Sequence, residues 1–196
     1  MEVALYKYNS PCGELYIAAL GNSIILCDWA CNKKLTKNLA RLSKAFDIEF
    51  IMPIRGAAEA IGEAKSKKNS PPSSQIILSA IKELNEYFAG ERKEFSLPLT
   101  TTGTPFQKAV WRQLVEIPYG KTISYSELAS AISHPQAIRA VANACAANAL
   151  SIVLPCHRVV RSNNSSTNYA GGATAKRLLL KLENRKTPTT FEIKEQ

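Results

Sequence analysis

The chain has 196 residues, 45% of them hydrophobic and 21% charged, with 25 Lys and Arg against 16 Asp and Glu. That is enough apolar material for one domain or two small ones; the nine Gly and ten Pro exclude collagen-like and low-complexity classes, and no apolar run of about eighteen residues is present to span a membrane. Met1 to Leu5 lacks the basic flank and long apolar stretch of a signal peptide, so a soluble intracellular protein is expected. The charge is uneven. Residues 1–100 carry 13 basic against 11 acidic side chains and residues 101–196 carry 12 against 5; a basic second half suits a polyanionic partner such as nucleic acid, or equally a merely soluble basic surface.

In chain order, Ala4 to Tyr8, Glu14 to Ala19 and Ser23 to Asp28 are short β-prone runs. Turn residues at Ser10-Pro11-Cys12-Gly13 and Gly21-Asn22 separate them, which predicts a three-stranded antiparallel meander. Leu35, Leu39, Leu42 and Phe46 recur at helical spacing and predict a helix on that sheet. Lys65 to Ser74 reads as a loop. Ile77, Ile81, Leu84 and Phe88 predict a second helix, with Gly90 placed to end it. Composition shifts between Leu97 and Gly103, and a domain boundary is expected there: residues 1–97, then 98–186, then a tail over 187–196.

The second domain opens on a helix start. Thr104 can cap, Pro105 suits the first helical position and Gln107 completes a capping box, with Phe106, Val110, Leu114 and Val115 as the buried face. Ser124-Tyr125-Ser126-Glu127 is another capping box, leading a short helix to about Ile132. After the break at Ser133-His134-Pro135, a further helix runs from Pro135 to about Ala146, giving a helix-turn-helix pattern. Ile138, Val141 and Cys145 are expected inward. Arg139, Ala142, Asn143 and Ala146 form a neighbouring face with one long cation and short side chains, able to approach a nucleic-acid groove or simply to face solvent.

Ser151-Ile152-Val153-Leu154 is a short apolar strand candidate ending at Pro155-Cys156-His157-Arg158-Val159-Val160. A thiol beside an imidazole points to a nucleophile and a base, although adjacency alone does not make them meet. The other cysteines, Cys12, Cys27, Cys31 and Cys145, form no disulfide framework. Cys27 and Cys31 are close, but the only histidines, His134 and His157, lie far downstream, so structural zinc is not expected.

Pro155-Cys156-His157-Arg158-Val159 resembles the active-site motif of the O6-alkylguanine-DNA alkyltransferases, also called methylated-DNA–protein-cysteine methyltransferases. Thr104-Pro105-Phe106-Gln107 through Trp111, Ile117-Pro118-Tyr119-Gly120, Ser124-Tyr125, Arg139-Ala140-Val141, Asn148 and Asn168-Tyr169-Ala170-Gly171-Gly172 are similar to the family's other landmarks, in order. The resemblance is strong over residues 104–184 and one of layout over 1–96. It implies an α/β N-terminal domain, with a small antiparallel sheet and helices. A mainly α C-terminal domain would follow, holding the helix-turn-helix and a short strand that bears the active cysteine.

The resemblance further implies that Cys156 takes the alkyl group from O6 of a damaged guanine in one irreversible, stoichiometric step. His157 would be the base, linked through a water to Glu183, which orients it. Tyr125 would donate a proton or hydrogen bond to the guanine. Arg139 would fill the space of the flipped nucleotide, with Ala142, Asn143 and Ala146 on the DNA face in the minor groove. Asn148, Ser151, Val159, Tyr169 and Ala170 would shape the substrate pocket. No metal or other cofactor is implied; the partner would be double-stranded DNA containing O6-alkylguanine, acted on by a monomer in the cytoplasm (the nucleus in a eukaryotic host), with no membrane. Asn143 replaces a common glycine, Ala146-Ala147 a more polar or glycine-containing stretch, Ala149 a proline and Arg161 a smaller residue, and these departures bear on DNA affinity. Two rival classes are a lesion-binding relative without transfer, which would lack the cysteine, and a cysteine hydrolase, which would turn over.

Overall fold

The structure is a computed structural model and describes residues 3–50, 72–161 and 169–184. Most of the expected loop over Lys65 to Ser74, the Asn168 landmark and the tail over 187–196 lie outside the described residues. β1 (Val3–Ser10), β2 (Gly13–Leu20) and β3 (Ser23–Trp29) form the antiparallel meander in that order. Side-chain alternation serves two layers. Leu15, Ile17 and Ala19 of β2 join the main core, whereas Ala18 joins a smaller cluster with Leu35 and Leu42 of α1 (Leu35–Phe46). A register shift between Ala18 and Ala19 marks the middle of this central strand.

The second helix, α2 (Pro72–Ala89), packs on all three strands and buries Ile77, Leu84 and Phe88 as the periodicity predicts. It begins at Pro72, inside the stretch read as loop, and it also buries Tyr87. Gly90 takes φ +81°, the left-handed conformation that ends a helix at little cost to glycine.

Both capping boxes form. At α3 (Pro105–Val115), Thr104 Oγ1 accepts from the Gln107 amide, and Gln107 Oε1 accepts from the Thr104 amide at 3.0 Å. Ser124 and Glu127 repeat the arrangement at α4 (Tyr125–Ala131). The buried stripe of α3 is Val110, Trp111 and Leu114. Val115 is 56% exposed, because it follows Leu114 by one residue and so sits about 100° around the helix from it.

The helix-turn-helix has a longer connection than expected. Residues 133–137 form turns, with the Ser133 amide donating to Ser130 O and the Ala137 amide to His134 O, so α5 runs Ile138–Ala146. Its inward face is Val141, Ala144 and Cys145. Ile138, expected inside, is 43% exposed because it opens the helix one turn before Val141 and faces a cleft. The last helix, α6 (Gly172–Glu183), buries Ala175, Leu179 and Leu182, while Leu178 points outward.

Two contacts tie the halves together. Ile24 of β3 exchanges backbone hydrogen bonds with Pro98 and Thr100, and Cys27 does so with Ala149 and Ser151. One hydrophobic cluster therefore runs from Ile17 and Trp29 through Leu84 to Leu128, Val159 and Leu179. The segment bearing Cys156 is braced directly against the N-terminal sheet.

Candidate active site

The segment before Cys156 is not the expected strand. Residues 151–154 are turns, and Cys156–Arg158 is a single 3-10 turn followed by the two-residue strand β5 (Val159–Val160). A short apolar run does not distinguish a buried strand from a buried turn. Here Asn148 decides it. Its Oδ1 accepts from the Leu150 amide and its Nδ2 donates to Leu154 O, while the Leu154 amide reaches Leu150 O at 2.8 Å. Ile152 is forced to φ 72°, an unfavourable conformation for a β-branched residue, and the surrounding bonds hold it there.

Asn148 Nδ2 also points to Cys156 Sγ, at 3.4 Å. The sulfur is buried, and burial pushes the thiol up to about 11, partly offset by Asn148 and the nearby Lys176. It rests as a neutral thiol and needs a base when it reacts.

The imidazole next to it has a defined tautomer. His157 is fully buried, and its Nε2 lies 2.7 Å from Glu183 Oε1. The contact is direct, so the water expected between His157 and Glu183 has no place there. Burial works against the Glu183 carboxylate, but His157 and Arg158 outweigh it and hold the acid at about 2. An ionised carboxylate only accepts, so His157 Nε2 carries the proton. Burial lowers the imidazole's own affinity for a second proton, with Glu183 opposing. His157 Nδ1 is therefore the basic atom, and it has no hydrogen-bond partner among the described residues.

Glu183 is the hub. Besides His157 it accepts from the Tyr87 hydroxyl at 2.8 Å, the Gly120 amide at 3.0 Å, and Arg158 Nε and Nη2 at 2.9 and 3.1 Å. Gly120 must be glycine: its φ is +74°, and a Cβ would stand 2.9 Å from Glu183 O. Arg158 Nη1 donates to Ile117 O at 2.6 Å, which joins Ile117-Pro118-Tyr119-Gly120 to the acid. Arg158 and Gly120 lie within motifs visible in the sequence, although no role was read for them. Tyr87 was hidden inside an apolar stripe of α2, with no local signal.

Tyr169, which packs against His157, belongs to the wall of a cleft of about 660 Å³ that neither Cys156 nor His157 itself lines. Tyr125 from the expected catalytic set, Arg139, Ala142, Asn143 and Ala146 from the expected DNA face, and Tyr169 and Ala170 from the expected substrate pocket line it, joined by Lys176 and Arg161. Tyr125 is brought there by β4 (Ile123–Ser124), which pairs in parallel with β5. Burial raises its hydroxyl to about 12, so it stays a proton donor. Tyr169 stacks edge-on against His157, and its hydroxyl accepts from Trp29 Nε1 at 3.1 Å. Gly171 lies so close over the Trp29 ring that a Cβ would come within 2.6 Å. Asn148, Ser151 and Val159 do not line the cleft; they are buried behind it and support the turn. Among the described residues no group of three or more His, Cys, Asp or Glu side chains is placed to hold a metal ion.

Comparisons with known proteins agree over the whole described region. Residues 105–185 match the family model described as 6-O-methylguanine DNA methyltransferase, DNA binding domain, and residues 4–101 match its ribonuclease-like domain. The constitutive methylated-DNA–protein-cysteine methyltransferase of Bacillus subtilis is 51% identical over 108 residues, which cover 55% of this chain and 66% of that protein. The Mycobacterium tuberculosis protein of the same name is 44% identical over 128 residues, covering 65% of this chain and 78% of that one. A crystal structure of Mycobacterium tuberculosis OGT in complex with DNA superimposes with a TM-score of 0.69 and 33% identity, over 93% of each chain.

Proposed function

The chain belongs to the 6-O-methylguanine DNA methyltransferase family, and from that premise we propose that it repairs O6-alkylguanine in double-stranded DNA by irreversible transfer of the alkyl group to Cys156. The observation that carries the reading is the buried His157–Glu183 pair, which leaves one basic nitrogen on the residue next to the Cys156 thiol, with the His157 ring packed against Tyr169 of a cationic cleft.

The reaction divides among the residues as follows. His157 Nδ1 takes the Cys156 proton as Sγ bonds to the alkyl carbon and the carbon–O6 bond breaks. The electron pair of that bond stays on the guanine, where Tyr125 supplies a proton or hydrogen bond as charge develops. Glu183 offsets the imidazolium that forms. Sulfur, imidazole and carboxylate complete the proton path with no cofactor taking part. In this reading residues 1–97 brace the acceptor turn, residues 98–186 bind DNA and carry the chemistry, and a monomer acts in the cytoplasm, or in the nucleus of a eukaryotic host. No described helix is long and apolar enough to cross a membrane.

A base stacked in a duplex cannot present O6 to a buried sulfur, so the nucleotide must leave the stack. Arg139 is exposed at the start of α5, where its side chain can take the vacated space. Arg139→Ala is expected to slow repair of duplex substrate more than reaction with the free alkylguanine base, which needs no flipping. Single-turnover rates on the two substrates check this; equal losses assign Arg139 a structural role instead.

The function itself is tested by intact mass. Incubation with O6-methylguanine DNA should add one methyl group to the protein, on Cys156, and product should stop at one equivalent. A thioether, unlike a thioester, offers water no easy leaving group. Sustained turnover with an unmodified protein mass would favour a cysteine hydrolase.

A further inference from the structure

We propose that the N-terminal half also contacts DNA, through Lys33 and Lys34, which line the same cleft as α5 and grip the phosphates beside the flipped nucleotide. The inference rests on the DNA-repair reading above and adds to it a second, separate patch of backbone contact.

The charge totals conceal this patch. Residues 1–100 are nearly neutral as a whole, yet Lys33, Lys34, Lys37, Arg41 and Lys44 follow one another with no acid between Asp28 and Asp47. The fold turns the first two of these onto the cleft. Lys33 and Lys34 line it together with Arg139, Asn143, Arg161 and Lys176, and none of the residues lining it is acidic. Both lysines are exposed, and neither forms a salt bridge among the described residues.

The position of these lysines is built rather than incidental. Asn32, next to Lys33, donates from Nδ2 to both oxygens of the buried Asp28 carboxylate, at 2.9 and 2.8 Å. Its Oδ1 accepts from the Lys34 amide and its carbonyl from the Leu35 amide, each at 2.9 Å. Asn38 donates to the same carboxylate, at 2.8 Å. The backbone carrying the two lysines is thus pinned to the end of β3 and the start of α1. A nucleotide turned out of the helix brings its flanking phosphates to the mouth of the pocket that receives it. Cations fixed on that rim meet them without a large ordering cost.

The test compares the full chain with its Lys33→Ala/Lys34→Ala variant. A Lys44→Ala/Lys82→Ala variant, altered at two lysines that do not line the cleft, matches the change in net charge. For undamaged duplex, the slope of log affinity against log salt should become shallower by about 1.8 in the first variant, at ~0.9 per phosphate neutralised, and much less in the second. The rate on O6-methylguanine duplex should fall ~10-fold more than the rate on the free base. An unchanged slope, an equal change in both variants, or equal rate losses on duplex and free base overturns the proposal. The slope is measured on undamaged DNA, so it decides the matter even if the wild-type chain transfers no alkyl group, a result that would instead sink the repair function.

Discussion

Cys156→Ala is expected to abolish alkyl transfer altogether, with intact mass unchanged after incubation with O6-methylguanine DNA, while duplex binding is largely kept. Among the described cysteines only Cys156 has the required company: an adjacent buried imidazole with a free nitrogen. Cys27 and Cys145 are buried thiols whose ionisation burial suppresses, and Cys12 is pushed up to about 11 with no base beside it. Cys31 is exposed at the cleft rim, beside Ala170 O, and far in sequence from the acceptor turn. The alanine variant should fold. Asn148 Nδ2 keeps its bond to Leu154 O when the sulfur is gone, so no buried donor is orphaned, and a loss of ~1 kcal/mol is the expected scale. Full transfer by the variant, with the group found on Cys145, would overturn the assignment.

How much of this was legible in the sequence differs by kind of signal. The meander, the two capping boxes and the Gly90 stop are local, written by turn residues and side chains three apart, and they appear where the sequence places them. The acceptor, its neighbouring imidazole and the cleft residues of α5 follow from a motif resemblance and converge in space. Three readings failed for a common reason, that burial is decided by tertiary neighbours. Ile138 fits an inward stripe but opens its helix against a cleft. Val115 lies beside the buried Leu114 and points away from it. The turn before Cys156 reads as a strand because nothing local reveals that Asn148 spends its amide on the backbone two and six residues on. Tyr87 was beyond reach: its partner, Glu183, is 96 residues away. The basic rim at Lys33 and Lys34 was averaged out by counting charge over half a chain.

Glu183→Gln is expected to cost both stability and rate, and the two losses have separate signatures. In the wild type the carboxylate is held at about 2 against ~4.3 for an unperturbed glutamate, a difference worth on the order of 3 kcal/mol of folding stability. The folded value is the depressed one. This contribution is therefore complete above the unfolded value, near pH 4 to 5, and is lost as pH falls toward 2. The glutamine variant lacks it at every pH and leaves the buried Arg158 cation without its counter-ion; because the same pair produces the depressed value, the two are one loss, ~3–5 kcal/mol in all for a broken buried pair. Chemical denaturation should show the gap between wild type and variant at its widest near neutral pH and narrowing below pH 4. The chemical loss has a different origin. A glutamine amide can donate to His157 Nε2, which moves the imidazole proton to Nδ1 and removes the one basic atom free to take the thiol's proton. Inverting the tautomer of a catalytic histidine in this way costs roughly 10⁴-fold when the orienting acid of a Ser-His-Asp triad is made an amide. Single-turnover transfer by the folded variant, measured at a pH and temperature where circular dichroism matches the wild type, should fall by a comparable factor of about 10³ to 10⁴. A folded Glu183→Gln protein that still transfers at near wild-type rate would show that His157 does not take the proton from Cys156.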